Sequence, residues 1–156
     1  MDYIVTALIS YLFGSIPFGY LFTKILLKKD IRNVGSGNIG ATNVLRTGNK
    51  SLGYLTLILD IAKAVVPVVY IKLNYPDLVY VSALCVFLGH VFPIWLKFHG
   101  GKGVATYVGI LFVIDIYLGL LFTFVWFFIF IISKFSSLSS LIGSISIPIY
   151  FLFLSQ

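Results

Sequence analysis

Glutamate is missing altogether, and the other charged side chains are few. Nine Lys, two Arg and five Asp make up 10% of 156 residues. A water-solvated domain carries about a quarter charged residues, so that class is excluded. The one cysteine, Cys85, rules out an internal disulfide; inside an apolar run it reads as a packed small hydrophobe. One cysteine and two histidines, Cys85, His90 and His99, do not match a metal-ligand spacing, so neither a metal nor a cofactor is expected. No Ser-His-Asp set and no Cys-His pair can be assembled. An enzyme of this composition would position two substrates and stabilise charge, with no covalent intermediate. A basic stretch is also lacking at Met1-Asp2-Tyr3, so the first apolar run reads as an uncleaved span.

What the chain has is apolar length: 60% hydrophobic residues and a mean hydropathy of +1.06. The expected fold is an all-α integral membrane protein with about five crossings, residues 1–156 forming a single multi-span domain. Spans are read at residues 3–27, 51–71 and 78–96. In the first, Gly14, Pro17 and Gly19 fall at mid-depth and predict a kink with close helix packing. Residues 104–133 exceed the ~20 needed to cross a bilayer. They form one long tilted helix or two pieces broken near Asp115. Residues 134–140 read as a Ser-rich connector. Residues 141–154 are a short last apolar segment that Gly143, serines and Pro148 weaken as a regular helix.

The loop charges orient this arrangement. Lys24, Lys28, Lys29, Arg32, Arg46 and Lys50 flank the loop after the first span, and Lys97 and Lys102 the loop after the third. Only Lys72 lies in the turn between. The positive-inside rule then puts the N-terminus outside and both flanked loops in the cytoplasm. The net charge of +6 serves orientation, and no nucleic-acid partner is implied.

Each of those two loops holds a glycine-rich polar island. The first is Gly35-Ser36-Gly37-Asn38-Ile39-Gly40-Ala41-Thr42-Asn43, closed by Arg46. The second is Gly100-Gly101-Lys102-Gly103-Val104-Ala105-Thr106. Filling a bilayer requires neither. Glycine lets backbone N–H groups approach a ligand, and Ser, Asn, Thr, Lys and Arg add donors, so the pair predicts a site for an anionic, phosphorylated substrate. The first island is no Walker A loop, because no Gly-Lys-Ser/Thr ends it, and no strand precedes it as a dinucleotide fingerprint requires. The bland alternative is a flexible surface loop. Three Gly, two Asn, a Ser and a Thr within nine residues, beside an Arg, argue against it. In the second island Lys102 sits at the start of a predicted helix, where N–H groups and dipole favour an anion. A positive-inside lysine beside a tight turn is the alternative there. Asp60 and Lys63, three residues apart inside the second span, predict a structural ion pair facing protein. His90 reads as a packing residue, and His99 lies beside the second island.

Six blocks together carry a resemblance. Gly14-Ser15-Ile16-Pro17-Phe18-Gly19-Tyr20, Asp30-Ile31-Arg32, Gly35 through Arg46, Asp60-Ile61-Ala62-Lys63, Gly89-His90-Val91-Phe92-Pro93 and Gly100 through Thr106 resemble the bacterial acyl-phosphate:glycerol-3-phosphate acyltransferase family (PlsY), in that family's order and spacing. Ser136-Ser137-Leu138-Ser139-Ser140 is similar to its later Ser-Leu-x-Ser segment. The resemblance implies a multi-pass enzyme of the bacterial inner membrane with its site at the cytoplasmic face. It would move a fatty acyl group from long-chain acyl phosphate to the 1-hydroxyl of glycerol 3-phosphate, giving lysophosphatidate and phosphate, the first step of phospholipid synthesis. Its partners would be those two substrates and membrane lipid. Ser36, Arg46 and Lys102 are the expected catalytic residues. Gly35, Gly37, Asn38, Gly40, Thr42, Asn43, Gly100, Gly101, Gly103 and Ser137 are the expected substrate and phosphate contacts. The family also implies a further cytoplasmic block, with an Arg-His pair, an Asn and a Glu, which no residue of 1–156 matches; the sequence reads as lacking it. A non-catalytic or incomplete relative of the family and a phosphate or anion transporter are the competing classes.

Overall fold

The structure, a computed structural model, describes residues 1–154. It is all-helical, with no strand among the described residues. The protein is an integral membrane protein with five helices long and apolar enough to cross a bilayer: Tyr3–Leu26, Lys50–Asn74, Pro76–Leu96, Ile116–Ser133 and Ser136–Phe153. It divides into two compact units, the first Met1–Ile110 and the second beginning at Leu111.

In the first unit the opening span is two helices, α1 (Tyr3–Ser15) and α2 (Phe18–Leu26). Asp2 caps α1 by accepting the N–H of Val5 at 2.8 Å. The break falls where the sequence puts a proline: Ile16 is extended ahead of Pro17, which has no N–H to continue the ladder. A short helix, α3 (Ala41–Leu45), lies in the following loop, and α4 (Lys50–Asn74) is the second span. Its buried residues, Leu52, Thr56, Asp60, Lys63, Ala64, Pro67, Val68 and Ile71 among them, recur every three or four positions, one stripe of a helix. The third span is a 3₁₀ turn (Pro76–Leu78), α5 (Val79–Val91) and a second turn (Ile94–Leu96). α1 and α5 meet through small residues, as membrane helices do. A Cβ on Gly14 would run into the Val86 carbonyl, and one on Gly89 into the Tyr11 carbonyl. Polar bonds join α1 to the third span: Ser10 to Ser82 in α5 at 2.8 Å, Tyr11 Oη to the Phe92 carbonyl just past α5 at 2.7 Å, and Trp95 Nε1 in the following turn to Ser15 Oγ at 2.9 Å.

The 104–133 stretch is broken. α6 (Val104–Ile114) and α7 (Ile116–Ser133) are separated by Asp115, extended at φ −152°, ψ 127°, whose carboxylate accepts the Tyr117 N–H at 2.7 Å and caps α7. In the second unit Trp126 Nε1 donates to Ser140 Oγ at 3.2 Å, and Gly143 packs against the Phe122 ring. One expectation is corrected here. The connector read at 134–140 shrinks to Lys134 and Phe135: α8 begins at Ser136 and runs through Gly143 and Pro148 to Leu154. The serines sit within it because their hydroxyls return to carbonyls one turn back, Ser139 to Phe135 at 2.9 Å and Ser140 to Ser136 at 2.7 Å.

Candidate active site

The first island is a folded loop with its own apolar core. Ile31, Ile39, Val44 and Leu52 are buried together, with Tyr20, Phe22, Leu27 and Val34 against them. Leu96, from the turn leading into the second island, belongs to the same cluster. The cluster under the first island thus reaches the turn before the second, more than fifty positions away in sequence.

Asn43 shapes the first loop. It is 1% exposed. Its Nδ2 lies within donating distance of the carbonyls of Asn38 (2.8 Å), Val34 (2.9 Å) and Ile31 (3.2 Å), and its Oδ1 accepts the Ser36 N–H at 3.0 Å. An amide has two N–H donors and one carbonyl acceptor, and these are taken by backbone. The sequence reading assigned Asn43 a phosphate contact; the structure gives its side chain the job of pinning Ser36. Gly35 and Gly37 on either side of Ser36 have φ of +53° and +72°, a conformation costly for other residues. Ser36 is exposed at the crest. Arg46 is exposed too, and its stem and Nη1 lie over Gly35: a Cβ there would come within 2.9 Å of Arg46 Cδ and 3.4 Å of Nη1. Ser36 and Arg46 are therefore neighbours. Asn38 lends the loop a carbonyl, Gly40 caps α3, and Thr42 is exposed in its first turn.

At the loop's entry Arg32 grips Asp30 with Nε at 3.0 Å and Nη2 at 2.6 Å, and stacks over the Tyr20 ring at 5.1 Å. The side-chain bonds from Arg32 hold the Asp30 carboxyl down at about 2, and Asp30 in turn raises the guanidinium.

The second island uses its glycines differently. The Gly100 N–H donates to the Val91 carbonyl at 3.1 Å and the Gly101 N–H to the His90 carbonyl at 3.0 Å. A Cβ on Gly100 would strike the His90 carbonyl, one on Gly101 the His90 ring, and one on Gly103 the Phe87 ring. These glycines let the chain double back onto the end of α5, and the N–H groups of Gly100 and Gly101 face α5 carbonyls where the sequence suggested a ligand. Lys102 remains exposed between them and α6. His99 is exposed, its Nδ1 2.7 Å from the Lys97 carbonyl. Ser137 is exposed in the first turn of α8, in the second unit.

Sequence reasoning missed two features. It did not see that His90 would pack against Gly101, although both lie in the blocks that carry the family resemblance. It also did not see Asn43 as a loop former, a role that needs carbonyls 5, 9 and 12 positions away brought to its amide.

A model of the glycerol-3-phosphate acyltransferase family matches residues 4–156. A glycerol-3-phosphate acyltransferase of Pelagibacter ubique is 69% identical over 150 residues, covering 96% of this chain and 78% of that protein. One of Bartonella quintana is 52% identical over 151 residues, covering 94% and 72%. Among solved structures, the glycerol 3-phosphate form of PlsY (YgiH), an integral membrane glycerol 3-phosphate acyltransferase, is 37% identical at a TM-score of 0.90, covering 98% of this chain and 77% of that one. Its lysophosphatidic acid form matches at 35% and 0.86, covering 98% and 76%.

Proposed function

Because the chain belongs to the glycerol-3-phosphate acyltransferase family, we propose that it transfers a long-chain acyl group from acyl phosphate to the 1-hydroxyl of glycerol 3-phosphate. Acyl phosphate is a mixed anhydride, already activated. The hydroxyl oxygen attacks its carbonyl, the C–O bond to the phosphate oxygen breaks, and phosphate leaves with that electron pair. The hydroxyl proton ends on a phosphate oxygen, and the products are lysophosphatidate and inorganic phosphate. The protein has to neutralise phosphate charge and aim the hydroxyl. Arg46 and Lys102 supply the charge, and Ser36 a hydroxyl donor beside Arg46. Asn43, Gly35 and Gly37 hold that crest, and Gly100, Gly101 and Gly103 fold the second loop so that Lys102 projects. The acyl chain lies in the membrane lipid. The eight Lys and Arg flanking the two loops, against Lys72 in the turn between them, support a site on the cytoplasmic face of a bacterial inner membrane with the N-terminus outside.

One observation carries the reading: in a chain of this family, the apolar cluster under the first donor-rich loop also takes in Leu96, from the turn that leads into the second. The test is purified protein in vesicles of known sidedness, given acyl phosphate and labelled glycerol 3-phosphate. Inside-out vesicles should make labelled lysophosphatidate and free phosphate, right-side-out vesicles should not, and acyl-CoA should not replace acyl phosphate. Phosphate uptake without product would point to transport, and product from right-side-out vesicles alone would reverse the orientation.

A further inference from the structure

The most deeply buried charges of the first unit take no part in that clamp. The side chains of Lys63 and Asp60 are 2% and 3% exposed and lie 2.9 Å apart. Replacing a buried ion pair by packed apolar residues is often neutral or stabilising, so the pair is weak evidence for stability, and its other contacts are the better guide. Lys63 Nζ donates at 2.7 Å to the Ile16 carbonyl, at the break between α1 and α2, and lies 5.8 Å from the Phe18 ring centre. The Asp60 backbone carbonyl accepts from Thr106 Oγ1 at 3.3 Å, in the first turn of α6. Asp60 Oδ1 lies 3.8 Å from His90 Nδ1. His90 holds the Gly101 N–H on its carbonyl, and its ring fills the space a Gly101 side chain would take. The cluster thus touches both ends of the segment from Gly101 to Thr106, and Lys102 is the exposed residue between them.

We propose that Asp60, Lys63 and His90 are positioning residues: a buried latch, anchored at the α1–α2 break, that fixes where Lys102 projects. This rests on the reading of Lys102 as a phosphate contact. A latch that acts through Lys102 has no work left once Lys102 is gone, whereas a merely structural pair costs the same with or without it.

The experiment is a set of double-mutant cycles. Asp60→Asn, Lys63→Met and Gly101→Ala are each made alone and with Lys102→Ala, and kcat and KM for glycerol 3-phosphate are measured on folded protein matched by thermal melting. Each should lower kcat/KM by about ten-fold when Lys102 is present and by less than about two-fold when it is alanine. Equal losses in both backgrounds overturn the proposal. Asp60→Asn leaves Lys63 buried without its partner and can prevent folding. The Asp60→Leu/Lys63→Met pair, which removes both charges, and Gly101→Ala, which keeps both, then carry the test. A fully active double variant also overturns the proposal. If Lys102→Ala alone changes nothing, the site reading fails and the latch fails with it, an outcome distinct from additive losses around a functional Lys102.

Discussion

The two islands look alike in sequence and are built on different principles. The first stands on a neutral side chain: Asn43 gathers the backbone of residues 31–38, and positive-φ glycines present Ser36 and Arg46 at the surface. The second stands on close approach: its glycines are small so that the chain can lie on the His90 and Val91 carbonyls, above a buried ion pair. In the first loop Gly35 and Gly37 chiefly supply positive φ; in the second Gly100 and Gly101 supply room, and Gly103, at φ +76° against the Phe87 ring, supplies both. The difference teaches that glycine density marks a constrained backbone without saying what constrains it.

The largest expected effect tests whether the loops are separately built. Asn43→Ala removes the partner of the Ser36 N–H and of three carbonyls. Each buried polar group left unsatisfied costs ~1–3 kcal/mol, enough in total to undo the loop's conformation. Activity should fall by more than about a hundred-fold, the equivalent of about 2.7 kcal/mol. Hydrogen exchange should speed at the Ser36 amide while Gly100 and Gly101 keep their protection. Loosening of both loops together would show that the Leu96 cluster makes them one unit, and the contrast would dissolve.

The intermediate effect concerns which cations act. Arg46→Ala should lower catalytic efficiency by about ten- to a hundred-fold, the loss of a charged hydrogen bond of ~1.5–3 kcal/mol. Lys50→Ala, at the first position of α4, should cost less than about two-fold, within the range of an exposed surface charge. Kinetics at matched protein levels separate the two. Equal losses would mean that generic basicity of the first loop suffices, and that its ordered crest has no special part.

Much of this is legible in the sequence, for physical reasons. Bilayer thickness dictates long apolar runs, so the first three spans could be read directly, and the cost of buried charge made the Asp60–Lys63 pair predictable from its spacing of three. Pro17 announced the break in the first span. The 104–133 stretch was ambiguous because its length suits either one tilted helix or two pieces broken near Asp115; the extended backbone there and the bond from Tyr117 decide for the capped break. α8 was misjudged because serine and proline propensities describe a water-exposed helix, whereas in α8 the hydroxyls bond to the preceding turn. The roles of Asn43, Gly100 and Gly101 were illegible because each depends on partners that only the fold brings near. Composition says that donors are present, and packing decides which are free.

The smallest effect sharpens the contrast from the other side. Asp30 and Arg32 form the most visible ion pair of the first loop, doubly bonded at 3.0 and 2.6 Å, yet the Arg32 side chain is 43% exposed. Such surface pairs contribute about 0–1 kcal/mol. Asp30→Asn isolates the charge: an amide oxygen can still accept the Arg32 N–H that the carboxylate accepts at 3.0 Å. Because Arg32 holds the folded carboxyl down at about 2 from 3.8, what stability the charge adds is fully present above the ordinary value and is lost as pH falls through that window. From about pH 5 upward the difference between the parent and the Asp30→Asn variant should therefore be flat, and raised salt should shrink it. Turnover should stay within about two-fold of the parent and the melting midpoint should barely move. A loss as large as that of Asn43→Ala would mean that surface charge holds the first loop, with Asn43 secondary. Both islands would then rest on ion pairs, one exposed and one buried, and the distinction between a loop built by a neutral amide and a loop built over a buried charge would not survive.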